Sequence, residues 1–330
     1  MGLQTRDRSW PPPRSLRRPD RPRPSVRRAS LPACRLTRRN PALPQVTRFE
    51  EPKTLGVEPT DRFQRFAAFV RREVGIKLDA SKRSMVETRL RRRFTLLHCE
   101  SLDDYLTYVF ENGALDRERP VIVNAVTTNK TDFFREPPHF DHLMAEALPE
   151  AIARRRSVSD RVKIWSAASS TGAEAWTAAI CCAEYALRHG PFDWGIIGTD
   201  VNSEVITQAQ TAIFDDTFVA PVQPDLRQRY FRTGQGDFAG QSRIIPELRA
   251  RVRFFEHNLL SGVALRDCNL DVVFLRNVLI YFGAADQDRA IAQAARSLVR
   301  GGILYLGHSE AMSMRHPDFD VLGPSIYRKR

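Results

Sequence analysis

The sequence contains no long apolar stretch. No uninterrupted apolar run reaches the length of about 18 residues that a membrane-spanning helix needs, so no transmembrane helix is predicted. The first residues are rich in arginine and proline and lack the apolar segment of a secretory signal. We therefore expect a cytoplasmic protein.

Cysteine is scarce and histidine is scattered. The five cysteines are odd in number and show no Cys-x-x-Cys spacing, which disfavours a disulfide framework and a thiolate metal site. The seven histidines form neither a His-x₃-His nor a His-Glu-x-x-His pattern. The sequence therefore predicts reduced thiols and no bound metal.

Glycine is missing where a phosphate-binding loop would need it. The stretch VKIWSAASSTGAEAW, residues 162–176, predicts a strand, a loop and a helix, as at many nucleotide sites. It has one glycine, Gly172, where a dinucleotide fingerprint has three. Glu174 would repel a phosphate at the start of this helix but suits a ligand with hydroxyls or positive charge. The loop favours S-adenosylmethionine over NAD or ATP, although Glu174 could serve only the helix dipole.

Positive charge is concentrated at the beginning of the chain. Residues 1–60 carry 14 basic and five acidic side chains, a net charge of +9 out of +12 for the whole chain. The same residues hold 11 of the 21 prolines, so they predict a disordered tail that buries little apolar surface. The remaining residues are only mildly basic, and we expect no nucleic-acid partner.

Residues 61–126 predict an all-helical domain with a linker. Phe63, Phe66, Ala67 and Val70 follow the spacing of one helix face, and Gly75 fits its end. A second helix is predicted from a Ser81 cap to Leu97, and a third over LDDYLTYVF. On the second helix, Lys82, Arg89 and Arg93 lie side by side, either as a solvated face or as a surface for an acidic partner.

Residues 127–330 predict an α/β domain. Strands over residues 162–168, 194–200, 251–258, 271–277 and 301–307 alternate with helices near 173–188, 202–211 and 285–299. This alternation indicates a doubly wound, mostly parallel sheet covered on both faces. Glycines and short β-like runs at about 231–256 predict a small inserted β-subdomain.

Polar residues follow several predicted strands, where ligands of such sheets bind. Asp200 ends the second strand and is placed to accept hydrogen bonds from a ribose, unless it merely caps the next helix. Asn258 follows the third strand, and Arg276 and Asn277 follow the fourth. Ahead of the sheet, residues 126–136 offer an amide, a hydroxyl and a guanidinium at Asn129, Thr131 and Arg135, and this guanidinium could pair with a carboxylate.

Taken together, five segments resemble the CheR-type chemotaxis receptor methyltransferases. They are NKTDFFRE (129–136), WSAASSTGAE (165–174), GTDVNSEVITQA (198–209), FLRNVLIYF (274–282) and GHSE (307–310). The resemblance extends from about Phe63 to the end of the chain. It implies a Rossmann-like S-adenosylmethionine-dependent methyltransferase domain after an all-helical receptor-docking domain. It also implies transfer of methyl groups to glutamate side chains of chemoreceptors.

The resemblance further implies roles for individual residues. Arg135, Asp200 and Tyr281 are expected to matter for turnover, with Tyr281 near the transferred methyl group. Lys82, Arg89 and Arg93 are expected to dock on acidic receptor helices, and the β-subdomain to hold a receptor's C-terminal peptide in some members. A monomer recruited to membrane receptor arrays is expected. Cofactor contacts are expected at Asn129, Thr131, Arg135, Glu174, Asp200, Asn258, Leu259, Arg276 and Asn277.

Two alternatives remain at this point. A methyltransferase acting on nucleic-acid amines often has an Asn-Pro-Pro-Tyr run after the fourth strand, whereas this chain has Asn277-Val-Leu-Ile-Tyr281 without proline. A catalytically silent module that only binds receptor or senses S-adenosylmethionine would keep the same fold.

Overall fold

The computed structural model describes residues 61–330 except 156, 158–159, 262–264, 266–267 and 311–315. The predicted disordered tail, residues 1–60, lies outside the described residues. Within the described residues, none of the helices combines the length and apolar character needed to cross a bilayer.

Four helices form the first domain: α1 (Arg62–Val74), α2 (Arg83–Leu96), α3 (Leu102–Phe110) and α4 (Leu115–Val126). The Asp61 side chain caps α1, and Gly75, with a φ of 74°, ends it as predicted. A capping box between Ser101 and Asp104 begins α3. Phe66, Tyr105 and Ile122 lie at the centre of a core to which all four helices contribute.

The start of α2 differs from the prediction. Asp79, not Ser81, caps the first turn by accepting from the Ser81 backbone N–H at 2.9 Å, and a 3₁₀ turn, Ala80–Lys82, precedes α2. Helix α4 was not predicted because Pro120 lies inside it, and proline lacks the N–H that a helix interior uses.

The second domain continues with many short elements. They are α5 (Pro137–His142), a π-helical turn (Leu143–Ala147), α6 (Leu148–Ala153), β1 (Val162–Ala167), α7 (Ala173–His189), β2 (Trp194–Asp200), α8 (Ser203–Thr211), β3 (Ile213–Asp215), α9 (Asp216–Val219), α10 (Pro224–Tyr230), β4 (Phe231–Thr233), β5 (Gln241–Ile244), α11 (Pro246–Arg249), β6 (Val252–Glu256), β7 (Leu270–Leu275), α12 (Ala284–Ser297), β8 (Leu298–Leu306), β9 (Phe319–Gly323) and β10 (Ile326–Lys329). Short 3₁₀ turns lie at Gly236–Phe238, Leu279–Tyr281 and His308–Glu310.

Seven strands form the large sheet in the order β6-β2-β1-β7-β8-β10-β9. The first five are parallel, and β10 runs antiparallel to both neighbours, so the doubly wound, mostly parallel sheet is confirmed. Alternate residues of β1 serve opposite faces: Ile164 belongs to the core beneath α7, and Trp165 to the core beneath α12. From β1 the chain crosses to β2 on one side, and β7 pairs with β1 on the other side. This change of direction creates a crevice at the carboxyl ends of the strands.

The inserted sheet has different limits from those predicted. It is antiparallel with the order β3-β5-β4, so it begins at Ile213, before the predicted residue 231. Strand β6 lies within the predicted insert, yet it pairs with β2 of the large sheet. A three-residue strand such as β3 is too short for its side-chain alternation to be recognised in sequence.

Candidate active site

A cleft opens at the carboxyl ends of β1, β2 and β7. All of the residues that the sequence predicted for cofactor binding and turnover line it, and its space, counted to the open mouth, is about 940 Å³. Val74 and Ile76, at the end of α1, also line it, and Ile76 pairs with Phe282. This contribution could not be predicted from sequence, because the residues at a helix end do not indicate which surface they will contact.

The loop after β1 has an unusual backbone. Ala168, Ser170 and Gly172 all have φ values between 50° and 90°. A Cβ atom at Gly172 would lie 2.9 Å from the Phe254 ring and 3.0 Å from the Trp176 indole nitrogen. Glycine is therefore required at this one position, and the strain at Ala168 and Ser170 is typical of a loop shaped for a ligand.

Asp200 closes the floor of the cleft. Its two carboxylate oxygens accept from the backbone N–H groups of Ser170, at 2.9 Å, and Asn202, at 3.0 Å. Burial raises the pKa of Asp200, while these backbone hydrogen bonds oppose the rise. Asn202 caps α8, so the alternative that Asp200 is merely a helix cap is wrong. The Val201 backbone N–H also acts on this carboxylate, which leaves one acceptor position for a ligand hydroxyl.

Glu174 lies in the first turn of α7 and is held from two sides. Ser166 donates its hydroxyl to Glu174 at 2.7 Å, and the Arg276 guanidinium lies 3.3 Å away. Burial raises the pKa of Glu174, against the lowering effect of Arg276 and Ser166. A buried carboxylate with this little compensation favours a cationic ligand group beside it.

Arg276 is a positioning residue rather than an open ligand. Its side chain is 1 % exposed, pairs with Glu136 at 3.1 Å as well as with Glu174, and lies over the Phe140 ring. It also donates to the backbone carbonyl of Arg135. We therefore infer that Arg276, predicted as a cofactor contact, orients the carboxylates of Glu136 and Glu174.

Two acidic residues that sequence analysis left without a role complete this network. Glu310 accepts from the backbone N–H groups of Asn277, at 2.6 Å, Gly307, at 2.9 Å, and Ile280, at 3.3 Å. Glu136 accepts from the Asn277 side chain at 3.3 Å. Burial would raise the pKa of Glu136, but Arg276 and Asn277 together lower it. In the sequence, Glu310 could have been recognised as an acidic residue shortly after strand β8.

The segment before α5 presents Asn129, Thr131 and Arg135 to the cleft. The Ser170 hydroxyl donates to the backbone carbonyl of Asn129 at 2.7 Å, which joins this segment to the loop after β1. Among the described residues, the half-buried Arg135 guanidinium makes one hydrogen bond, to the Lys130 carbonyl at 3.2 Å. The Arg135 side chain lines the cleft.

Asn258 joins the two domains. Its amide nitrogen donates to the Glu73 carbonyl at 2.5 Å, and its oxygen accepts from the Leu260 backbone N–H at 2.8 Å. The buried Leu259 and the half-exposed Tyr281 line the cleft nearby. The amide of Asn258 thus fixes the end of α1 against the cleft, a role that its predicted cofactor contact did not include.

Two of the three predicted docking cations have partners inside the helical domain. Arg93 forms a two-point ion pair with the fully buried Glu118, at 2.8 and 2.6 Å, and Tyr105 donates to the same carboxylate. Arg89 donates to the last carbonyls of α4, those of Ala125, Val126 and Thr127. Lys82 is exposed. The spacing on one helix could not reveal partners that come from α3 and α4.

Replacing Arg93 with alanine should lower the free energy of unfolding at neutral pH by about 2 kcal/mol, because the buried Glu118 loses its two-point partner and keeps only Tyr105 and the more distant Arg117, at 3.6 Å. The hydrogen bond from Arg93 holds the pKa of Glu118 low. The difference in unfolding free energy between wild type and Arg93→Ala should therefore shrink as pH falls through that lowered pKa. Chemical denaturation measures this change. A Lys82→Ala control should shift stability by less than about 0.5 kcal/mol, and equal effects of the two substitutions would contradict the assignment.

The cleft suits an adenosyl group that carries positive charge and no phosphate. Asp200 offers acceptors for ribose hydroxyls, and Glu174 offers an anion in the same concave site. At the crevice of a doubly wound sheet, such a site defines the class of S-adenosylmethionine-dependent methyltransferases.

Comparison with known proteins identifies the family. Residues 61–127 match the all-alpha domain of CheR methyltransferases, and residues 129–327 match the CheR methyltransferase SAM binding domain. The chain therefore belongs to the CheR methyltransferase family. It is 35% identical to a chemotaxis protein methyltransferase of Klebsiella aerogenes over 265 residues, which cover 80% of this chain and 88% of the relative.

Two further relatives agree. A chemotaxis protein methyltransferase of Salmonella typhimurium is 36% identical over 80% of this chain and 88% of the relative. Chemotaxis protein methyltransferase 2 of Pseudomonas aeruginosa is 37% identical over 75% of this chain and 85% of the relative. The sequence-based expectations of the family and of a methyltransferase that binds S-adenosylmethionine are confirmed.

Proposed function

We propose that this protein methylates glutamate side chains on the cytoplasmic helices of chemoreceptors. The observation that carries the proposal is the position of Arg135, a half-buried cation in the wall of a cleft that also contains Asp200 and Glu174. In a CheR family member, that cation is placed to receive an anionic acceptor beside the cofactor. Asp200 and Glu174 hold the adenosyl and cationic ends of S-adenosylmethionine.

For methyl transfer to a carboxylate, the protein mainly has to bind and orient the two reactants. When bound, S-adenosylmethionine supplies a methyl group on a sulfonium, and a glutamate with a pKa near ~4.3 is already ionised at neutral pH, so neither a general base nor a metal is required. Arg135 pairs with the acceptor carboxylate and offsets the cost of removing it from water. Tyr281 donates a hydrogen bond that orients one carboxylate oxygen, and the apolar side chains of Val74, Ile76 and Phe282 exclude water.

Receptor recognition is proposed for two surfaces. Lys82, just before α2, and Arg92, on α2, are exposed, and Arg89 lies between them in helical projection, which gives a basic face for an acidic receptor helix. In the small sheet, β4 forms one edge and could accept a receptor's C-terminal peptide as an added strand. We propose that these contacts recruit a monomeric enzyme to membrane receptor arrays.

The test is transfer of a labelled methyl group from S-adenosylmethionine to receptor-containing membranes, followed by mass spectrometry of receptor peptides. Added methyl esters at glutamates are expected, and they should hydrolyse in mild alkali. S-adenosylhomocysteine binding without label on any of several receptors would favour the catalytically silent module. Label on nucleic acid instead would favour the amine methyltransferase, which the proline-free run 277–281 argues against.

Reversing the charge of Lys82 or Arg92 to glutamate should raise KM for the receptor by roughly tenfold, about 1.4 kcal/mol, because like charges would then face the acidic helix. Neither residue lines the cleft, so S-adenosylhomocysteine affinity should stay unchanged in calorimetry. Arg296→Glu on α12 is the matched control, since Arg296 is exposed on a helix of the other domain. An equal rise of KM in the control would count against a docking face on α2.

A further inference from the structure

Glu136, His139 and His308 form a cluster beside the cleft. Glu136 precedes α5, His139 lies three residues later on that helix, and His308 follows β8. One possible ligand atom from each residue lies within 4.8 Å of the other two. The cluster was not predicted, because the Glu-x-x-His pair and the second histidine are far apart in sequence.

His139 is the observation that points to a ligand. Its side chain is 1 % exposed, and neither ring nitrogen has a hydrogen-bond partner. An imidazole that is buried without partners costs stability, so a group that satisfies it has a reason to bind. The Nδ1 atom of His139 lies 3.4 Å from a Glu136 carboxylate oxygen. Two ligand atoms in a tetrahedral zinc site, each ~2.0–2.1 Å from the metal, are about 3.3–3.4 Å apart.

The local charge is mixed, because the Arg276 guanidinium already pairs with both Glu136 and Glu174. Glu136, Glu174 and Glu310 lie near one another around Arg276, and both Glu136 and Glu310 raise the pKa of Glu174. Asn277 and the His308 backbone N–H donate to one oxygen of Glu136, as partners of metal-ligating carboxylates commonly do, and Arg276 donates to the other oxygen, where an ion would have to displace it. His308 is exposed and gives an ion a path from solvent.

We propose that Glu136, His139 and His308 bind a divalent transition metal of the zinc type, with water completing its coordination, and that this ion opposes cofactor binding. The opposition follows from shared partners. Glu136 also holds Arg276, which in turn holds Glu174, the proposed partner of the cofactor's positive charge. A metal at Glu136 adds positive charge to this network and makes a cationic cofactor bind less tightly.

Zinc titration of the full chain by calorimetry tests the site without any methyl-transfer measurement. We expect wild type to bind zinc, and His308→Asn and His139→Asn to bind it at least tenfold more weakly. His308 is exposed, so its variant should fold even if the His139 variant does not. His98→Asn is the matched control, because His98 is exposed with a φ of 58°, a conformation that asparagine tolerates. Equal zinc affinity in wild type and His308→Asn would overturn the site.

Two further measurements complete the test. Cobalt bound at this cluster should give ligand-field absorption without thiolate charge-transfer bands, whereas thiolate bands would assign the ion to cysteine and overturn the site. S-adenosylhomocysteine is neutral at sulfur but keeps the ammonium, so it should still weaken zinc binding, and zinc should weaken its binding by the same factor. Identical zinc affinity with and without it would overturn the coupling.

Discussion

Arg135→Ala is expected to lower kcat/KM for methyl transfer by about 10²–10³-fold, the usual effect of removing one group that stabilises charge at the reaction centre. The backbone on both sides of Arg135 is fixed. Phe134 and Glu136 both have φ values near 55°, Phe134 donates its N–H to Thr177 at 3.1 Å, and Glu136 pairs with Arg276. The guanidinium is thus presented from a rigid segment, and removing it leaves the acceptor carboxylate without its cation.

The fold should survive this substitution. Arg135 has no carboxylate partner among the described residues, so alanine leaves no buried charge behind, and we expect a stability change below about 0.5 kcal/mol. Initial rates with labelled S-adenosylmethionine measure the loss, and thermal denaturation measures the stability. Arg161→Ala is the matched control, since Arg161 pairs with Asp193 on the surface away from the cleft. Wild-type turnover in Arg135→Ala would refute the assigned role.

The parts of this site that could be predicted from sequence are those in which local pattern determines position. Strands of a parallel sheet end at one edge, so Asp200 and Asn277 could be brought together from strand order alone. The loop after β1 could be located because an apolar strand stops at small residues and a helical pattern follows.

The remainder depends on contacts between distant segments. Glu118 pairs with Arg93 across 25 residues, and Glu310 meets Asn277 across 33. Neither pairing produces a periodic pattern in the sequence. The basic residues in and just before α2 therefore look alike in sequence, although Arg93 faces inward and Lys82 does not. The same reason explains the missed cluster of Glu136, His139 and His308.

Asp200→Asn is expected to weaken S-adenosylhomocysteine binding by roughly 100-fold, about 2.7 kcal/mol, which corresponds to one or two hydrogen bonds to a charged group. The carboxylate already accepts from the backbone N–H groups of Ser170, Asn202 and Val201 and keeps one acceptor position for a ligand hydroxyl. An asparagine has a single oxygen, so its amide group would face either Ser170 or Asn202 donor to donor. The ligand would lose an acceptor, and the loop after β1 would lose an anchor.

The stability of Asp200→Asn should change little, because two effects oppose each other. Burial raises the pKa of Asp200, which means that its ionised form costs folding free energy at neutral pH, and the neutral amide removes that cost. The mismatched backbone N–H costs about 1–3 kcal/mol in the other direction. Calorimetry with S-adenosylhomocysteine separates binding from folding, and Asp225→Asn, on the exposed first turn of α10, serves as control. Asp200 becomes neutral below its raised pKa. On acidification, the affinity of the wild type for S-adenosylhomocysteine should therefore fall at a higher pH than it would with an aspartate of ordinary pKa. Affinity equal to wild type in Asp200→Asn would show that this carboxylate shapes the loop without holding the ribose.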